Sequence, residues 1–352
     1  MSAHKFPYRW RLADLPQPSA DAPTVFGTFI CGGGSTMGYK LAGFRHLGGV
    51  EIDPKVAEVY RLNHHPVHLY VEDLRAFNRR DDLPSELYRL DMLDGSPPCS
   101  TFSMAGSREK AWGKKKTFRE GQARQTLDDL VFVYCDTIAK LQPKVALLEN
   151  VAGLVKGNAR DYCRRIVQRL ADAGYDVQVF LLNAAKMGVP QTRQRTFFIA
   201  RRKDLGLPPL TLSVDEPPIT FGEIIDESAT ERTMSDREFA LWSERRPSDT
   251  KFSDISERLT GKNTGFNTML LSRERVAPTM CASDAAFLYD YPRKPTRSER
   301  LMVGSFPLDY QSPDGLLPFL TGMSVAPVQM AHIASAIKAQ YFTKKGPSNA
   351  ND

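Results

Sequence analysis

The sequence of 352 residues contains only short apolar runs. The longest, residues 145–148 and 177–182, fall far short of the roughly 20 residues that a membrane-spanning helix needs. The first 15 residues mix basic and polar side chains, so they contain no continuous apolar segment of the kind that directs secretion. We therefore expect a cytoplasmic protein without a membrane partner.

Cysteine is also scarce, and no two cysteines form a C-x-x-C pair. An odd, scattered set argues against a disulfide framework and against a zinc ribbon, so no metal site is expected. Most free cysteines are inert, but at least one of this set is a candidate for a reactive thiol. The five are Cys31, Cys99, Cys135, Cys163 and Cys281.

The composition is that of an ordinary globular chain, with 41% hydrophobic and 25% charged residues. It excludes collagen-like, coiled-coil and disordered proteins. The net charge of +6 is unevenly distributed, because residues 104–126 hold seven basic and only two acidic side chains. This basic segment includes Arg108, Lys114, Lys115 and Lys116, which are candidates for contacts with phosphate groups.

Short apolar runs alternate with helix-like segments over the first 200 residues. Residues 24–30 are typical of a strand that ends in a glycine turn, and Gly43 follows the next helical segment. Asp53 and Pro54 are typical of a helix N-terminus directly after a second strand. The alternation predicts an α/β fold with a doubly wound, mostly parallel sheet.

The pattern changes after residue 201, where prolines punctuate short, irregular segments. We predict a smaller second domain there, followed by a return to the first domain that includes a helix over residues 328–341. The predicted division is an N-terminal extension at 1–23, a first domain at 24–201, a second domain at 202–275, a return at 276–343 and a flexible tail at 344–352.

The glycine turn spans Gly32 to Gly38, and Glu51 lies 17 residues beyond Gly34. Glycines let a ligand approach the backbone at the end of the first strand, and an acid at the end of the second can accept hydrogen bonds from ribose. The pair therefore indicates a nucleoside-containing cofactor. A tight structural turn with a helix-capping acid explains the same residues equally well.

Three further elements carry candidate chemistry. Cys99 follows two prolines that restrict the backbone on one side of the thiol. Glu149 ends an apolar strand, where loss of hydration favours the protonated form of an acid. Gln191, Arg193 and Arg195 precede another strand, and alternation would place both guanidinium groups on one face. Taken singly, each element has an inert structural explanation.

Together, the order of these elements resembles the DNA (cytosine-5) methyltransferase family over about residues 24–341, apart from the second domain. The most specific parts of the resemblance are Pro98-Cys99, Glu149-Asn150-Val151 and Gln191-x-Arg193-x-Arg195. The resemblance implies a class I S-adenosylmethionine-dependent, Rossmann-like fold. It also implies methyl transfer from S-adenosylmethionine to carbon 5 of a cytosine flipped out of duplex DNA.

The resemblance also implies roles for individual residues. Cys99 matches the nucleophile that adds to carbon 6, and Glu149 matches the acid near nitrogen 3. Arg195 matches the residue near oxygen 2, and Arg193 its neighbour, which organises the pocket. The residues implied to bind the cofactor are Ile30, Gly32, Gly34, Glu51, Asp73, Pro98 and Ser324.

The implied partner is double-stranded DNA that contains a target cytosine. Gln191 and the basic segment with Arg108, Lys114, Lys115 and Lys116 are implied to contact it, and residues 202–275 correspond to a target-recognition domain. A cognate restriction endonuclease would complete a restriction-modification pair, and monomeric action is expected.

Three alternatives stay open at this point. A transfer RNA cytosine-5 methyltransferase of the related branch shares Pro-Pro-Cys and Glu-Asn-Val but has little recognition domain. A catalytically silent DNA-binding relative would not need Cys99, Glu149, Arg193 and Arg195 together. A Rossmann dehydrogenase would leave the Pro-Pro-Cys and Gln-x-Arg-x-Arg elements unexplained.

Overall fold

The computed structural model describes residues 4–98, 130–155, 160–264, 268–283 and 285–343. The chain divides into two compact units. The sheet unit consists of Pro16–Leu182, Gln194–Val214 and Met330–Asp352, and the insert unit consists of Met1–Leu15, Asn183–Arg193 and Asp215–Gln329. Residues 215–275 of the predicted second domain lie in the insert unit, and residues 202–214 lie in the sheet unit.

Within the described residues, seven strands form the main sheet in the order β3-β2-β1-β4-β5-β7-β6. They are β1 (Thr24–Thr28), β2 (Arg45–Glu51), β3 (His68–Val71), β4 (Met92–Gly95), β5 (Val145–Val151), β6 (Tyr175–Asn183) and β7 (Gln194–Arg202). Strands β1 to β5 pair in parallel, whereas β7 runs antiparallel to β5. The predicted doubly wound, mostly parallel sheet is therefore confirmed.

The helices of the sheet unit follow its strands. They are α1 (Gly34–Leu41), α2 (Pro54–His64), α3 (Leu74–Asn78), α4 (Leu130–Leu141) and α5 (Arg160–Asp172). As predicted, Asp53 caps α2, and its side chain accepts hydrogen bonds from the backbone of Lys55 (2.9 Å) and Val56 (3.4 Å). Gly43 follows α1 with φ of 74°, a conformation that glycine adopts without strain.

The core of the sheet unit lies around its central strands, which are buried along their length. Phe26, Leu93 and Leu148 are fully buried in one apolar cluster with Tyr134 and Ile138 of α4. Strands covered on both faces need near-continuous apolar runs, which explains the apolar first four residues of β5. This packing holds the carboxyl ends of β1, β2, β4 and β5 in fixed positions.

The insert unit has smaller elements. They are α6 (Asp236–Ser243), α7 (Phe252–Thr260), β8 (Met269–Leu271), β9 (Ala286–Leu288), α8 (Arg297–Val303) and α9 (Leu317–Met323). Strands β8 and β9 pair in parallel. After α9, the helix α10 (Pro327–Ile337) ends four residues earlier than predicted, because the chain continues as a wider π-helical turn over Lys338–Phe342.

Candidate active site

The glycine turn between β1 and α1 has an unusual backbone. Phe29, Cys31 and Gly33 all have positive φ, at 54°, 45° and 80°. Such a conformation costs a non-glycine residue roughly 1–3 kcal/mol, so the surrounding fold imposes the shape of this turn. Because α1 begins directly at Gly34, the turn presents backbone N–H groups at a helix N-terminus, which suits a polar ligand.

Glu51 connects the end of β2 to this turn. Its carboxylate accepts hydrogen bonds from the backbone N–H groups of Cys31 (2.9 Å) and Asp53 (3.0 Å). Burial raises the pKa of Glu51, although these hydrogen bonds favour its charged form. A carboxylate has about four acceptor positions, so Glu51 can hold the turn and still accept from a ligand hydroxyl.

The His64 ring supports the turn at Gly33, a role that the sequence did not predict. Its ring stacks at a tilt against Tyr60, with ring centroids 4.6 Å apart, and its Nδ1 lies 3.4 Å from the Lys40 ammonium nitrogen. Burial and the positive charge of Lys40 lower the pKa of His64 well below its ordinary value, so the ring is neutral. A side chain at position 33 would collide with this ring.

We predict that Gly33→Ala lowers the free energy of unfolding by about 3 kcal/mol, because it combines backbone strain with a steric clash. A Cβ atom at Gly33 would lie 2.1 Å from His64 Nε2. Gly174→Ala is the matched control, since Gly174 also has positive φ but nothing within 4 Å of its Cβ position. Urea unfolding measures both variants, and equal losses would contradict a steric role for His64.

Three other predicted cofactor residues occupy distinct places. Asp73 caps α3 through the backbone N–H of Arg75 (2.7 Å), so it has a structural partner of its own. Pro98 is the last described residue before Cys99. Ser324 follows α9 in the insert unit, and its buried hydroxyl has no hydrogen-bond partner among the described residues. An unsatisfied buried hydroxyl is costly, so Ser324 is suited to contact with a polar ligand.

Glu149 and Arg195 form an ion pair between β5 and β7. Arg195 Nε lies 3.0 Å from Glu149 Oε1, and the side chains are only 15% and 10% exposed. The pair forms because the antiparallel register places Arg195 opposite Val151, two residues from Glu149. Burial disfavours a charged carboxylate, whereas the neighbouring guanidinium stabilises it, so the two effects on Glu149 oppose each other.

Asn150 connects this pair to the segment that leads to Cys99. Its side-chain nitrogen donates a hydrogen bond to the carbonyl oxygen of Pro97 over 3.3 Å. Asn150 is buried, so this bond fixes the chain only two residues before Cys99. The described structure thus holds the start of the Pro-Pro-Cys segment close to the end of β5.

Arg193 and Gln191 have positioning roles in the insert unit. Arg193 donates to the carbonyl oxygens of Met280 (3.4 Å), Gly322 (2.9 Å) and Ser324 (3.1 Å). Gln191 is 2% exposed, donates to the carbonyl of Val303 over 3.2 Å and accepts from the backbone N–H of Met280 over 3.1 Å.

These contacts change two expectations. Gln191 uses both ends of its amide inside the protein, so the geometry favours a positioning role over the predicted contact with DNA. The predicted shared strand face of Arg193 and Arg195 is wrong, because β7 begins at Gln194 and Arg193 precedes it. Arg193 turns instead to three backbone carbonyls of its own unit.

Several predicted residues lie outside the described part of the chain. They are Cys99, Arg108, Lys114, Lys115 and Lys116. Across the described ranges, no helix is long and apolar enough to span a bilayer. The same ranges contain no group of three or more acidic, histidine or cysteine side chains arranged to hold a metal ion.

The sheet order, the antiparallel β7 and the site at the carboxyl ends of the strands define a class I methyltransferase-like, Rossmann-like fold. A solved structure supports this class. It comes from a protein encoded within an E. coli prophage and described as a presumptive DNA modification methyltransferase. It superposes with a TM-score of 0.66 and 18% identity, covering 91% of this chain and 99% of that chain.

The sequence comparison then identifies the family. The profile of the C-5 cytosine-specific DNA methylase family matches residues 25–339, so the chain belongs to this family. Type II methyltransferase M.DdeI of Desulfomicrobium norvegicum is 31% identical over 60% of this chain and 48% of that protein. Type II methyltransferase M.FnuDI of Fusobacterium nucleatum is 29% identical over 72% of this chain and 67% of that protein. The chain thus spans about half to two thirds of the length of these relatives.

Proposed function

We propose that the protein transfers a methyl group from S-adenosylmethionine to carbon 5 of a flipped cytosine in a specific sequence of duplex DNA. The observation that carries this proposal is the largely buried Glu149–Arg195 pair, with Asn150 fixing the chain just before Cys99. Family membership supports the same reaction class. The Type II methyltransferase relatives support DNA as the substrate.

The chemistry requires activation of the base, because carbon 5 of cytosine is a weak nucleophile. Addition of the Cys99 thiolate to carbon 6 would convert the ring to an enamine, and the electron pair would then reach carbon 5. After methyl transfer a base removes the proton from carbon 5, the bond between sulfur and carbon 6 breaks, and the ring regains its aromaticity. The Cys99 thiolate is regenerated, and the other product would be S-adenosylhomocysteine, whose sulfur keeps the electron pair of the broken bond to the methyl group.

Glu149 and Arg195 present an edge that complements cytosine. A guanidinium donates hydrogen bonds only, which suits oxygen 2 of the base. A carboxyl group can donate to nitrogen 3 when protonated and can accept from the exocyclic amino group. Arg195 holds the carboxyl group of Glu149 in place, and proton sharing between this group and nitrogen 3 would stabilise the charge that develops there.

The residues around the glycine turn fit S-adenosylmethionine, which supplies an electrophilic methyl group when bound. Gly33 has a positive φ and Gly34 begins α1, so the turn offers backbone N–H groups of a helix N-terminus to a ligand. Glu51 has acceptor capacity for ribose hydroxyls. We assign Ile30, Gly32, Asp73, Pro98 and Ser324 to binding of the same cofactor on the basis of the family pattern.

We also assign target recognition to residues 202–275 and phosphate contacts to the basic segment after Cys99. Neutralising Lys114, Lys115 and Lys116 to glutamine should flatten the salt dependence of DNA affinity by up to about three units of log–log slope. Fluorescence anisotropy with a labelled duplex at several salt concentrations measures this slope. An unaltered slope would place the three lysines away from the phosphates.

The test of the function is incubation with genomic DNA and labelled S-adenosylmethionine, followed by bisulfite sequencing. The expected result is label in DNA and 5-methylcytosine at one recurring sequence. Parallel incubation with transfer RNA separates the alternative branch, since label in RNA alone would overturn the choice of DNA. Calorimetric binding of NAD instead of S-adenosylmethionine would favour a dehydrogenase. We also propose that the protein acts as a monomer and that a restriction endonuclease is its partner in a restriction-modification pair.

A further inference from the structure

Asp94 is a buried acid at the central crossover of the sheet that none of the roles above uses. It lies on β4, opposite Gly27 of β1 and Leu147 of β5. The chain proceeds from β1 outwards to β2 and β3, and from β4 outwards to β5 on the other side. The gap between β1 and β4 is therefore the topological switch point, where doubly wound sheets bind their ligands.

The Asp94 carboxylate has hydroxyl partners but no positive partner. It accepts a hydrogen bond from the Tyr39 hydroxyl at 3.3 Å and another from the Ser35 side chain, and it is 4% exposed. No lysine, arginine or histidine among the described residues forms an ion pair with it. Burial raises the pKa of Asp94 to about 7, and the negative charge of Glu149 adds to this effect.

Buried charges in proteins are normally paired, so a cationic ligand beside Asp94 would stabilise its ionised form. Ser35 is the second residue of α1, which places Asp94 directly beneath the helix that follows the glycine turn. Glu51 ends β2, two strands away from β4, or about 10 Å at the usual spacing of strands. A ligand that has hydroxyl groups at one end and a cation at the other could span this distance.

We propose that Asp94 binds the α-ammonium group of the methionine part of S-adenosylmethionine, an inference that rests on the proposed function. An ammonium has three N–H donors for the carboxylate, whereas the sulfonium has none. Asp94 therefore serves as the counter-charge at the amino acid end of the cofactor, while Glu51 serves the ribose end. The hydroxyl groups of Tyr39 and Ser35 orient the carboxylate.

Isothermal titration calorimetry of Asp94→Asn with three ligands tests this assignment. S-adenosylmethionine and S-adenosylhomocysteine both carry the ammonium, and 5′-methylthioadenosine lacks the whole amino acid arm. We expect the variant to lose about tenfold or more in affinity for the first two ligands, since a hydrogen bond to a charged group is removed. We expect its affinity for methylthioadenosine to stay within twofold of the wild type.

Asp91→Asn is the matched control, because Asp91 lies at the opposite end of β4, where it bonds Thr24 and Lys144. This variant should bind all three ligands like the wild type. Equal weakening of all three ligands by Asp94→Asn would show a merely structural role, and weakening of S-adenosylmethionine alone would assign the sulfonium instead. If the wild type binds none of them, the proposed function fails rather than this inference.

Proton release gives a second readout. A bound ammonium stabilises the ionised form of Asp94, so its pKa falls below about 7 and binding at pH 6.5 should release a proton. Calorimetry in two buffers with different ionisation enthalpies measures this release, which Asp94→Asn should remove. Among the described residues, the other titratable groups that interact with Asp94 are Tyr39, Tyr60, Tyr134 and Glu149, and all of them remain in the variant. Unchanged release in the variant would overturn the assignment.

Discussion

Replacing Cys99 with alanine is expected to reduce methyl transfer by roughly 10⁴-fold or more, while affinity for duplex DNA stays within a few-fold of the wild type. Without the thiolate, carbon 5 of the base has no enamine to activate it, whereas DNA affinity depends on phosphate contacts elsewhere. Transfer of tritium from labelled S-adenosylmethionine measures the first effect, and fluorescence anisotropy measures the second. Loss of binding with residual transfer would contradict the assigned role.

Cys163→Ala is the matched control for this variant. Burial raises the pKa of the Cys163 thiol and raises that of Cys135 to about 12, so neither forms a thiolate readily near neutral pH. Transfer by Cys163→Ala should therefore match that of the wild type.

A chemical trap tests the adduct itself. A duplex that contains 5-fluorocytosine at the target position cannot lose fluorine from carbon 5, so the bond to sulfur should persist. Mass spectrometry of peptides should find the nucleotide on Cys99. An active protein that forms no such adduct, or that carries it on another cysteine, would refute the covalent mechanism.

The parts of the fold that the sequence predicted correctly depend on local signals. Asp53 and Pro54 mark a helix start wherever they occur, because a capping carboxylate and a fixed φ act within one turn. Gly43 marks a helix end for the same kind of reason. The order of strands and helices along the chain then limits the sheet to a few topologies.

The features that the sequence could not predict depend on contacts between distant residues. Asp94 sits in a stretch with Gly95, Ser96 and two prolines, which looks like a solvated loop, yet it is 4% exposed between β1 and β5. His64 ends a helix, and only the fold brings its ring against Gly33.

Arg193 and Arg195 show the limit of arguments from spacing. Two residues with one between them share a face only inside a strand, and β7 begins after Arg193. Pairing with β5 sets that boundary, because Arg195 lies opposite the final residue of β5, Val151. The sequence thus placed both arginines in one short motif but could not show that they have different partners.

Glu149→Gln is expected to slow methyl transfer by roughly 10² to 10⁴-fold at neutral pH, with DNA affinity unchanged. Glutamine keeps the shape of the side chain but cannot share a proton with nitrogen 3 of the base or carry the charge that pairs with Arg195. Formation of the trapped adduct with 5-fluorocytosine should slow in parallel, because the carboxyl group assists the addition to carbon 6. An unchanged rate would remove Glu149 from the mechanism.

The structural effect of this change must be separated from the chemical one. Glu149→Gln leaves the Arg195 guanidinium, which is 15% exposed, without its ion-pair partner, so part of any loss could come from stability. Lys144→Gln is the control, because it removes the ion pair with Asp91 (2.7 Å) at the opposite end of β5 and should leave transfer unchanged. Arg195→Gln removes the same pair as Glu149→Gln, so both should lose similar unfolding free energy. If Glu149 takes part in the reaction, the Glu149→Gln protein should form the adduct more slowly than the wild type even at temperatures where urea unfolding shows that the variant is fully folded.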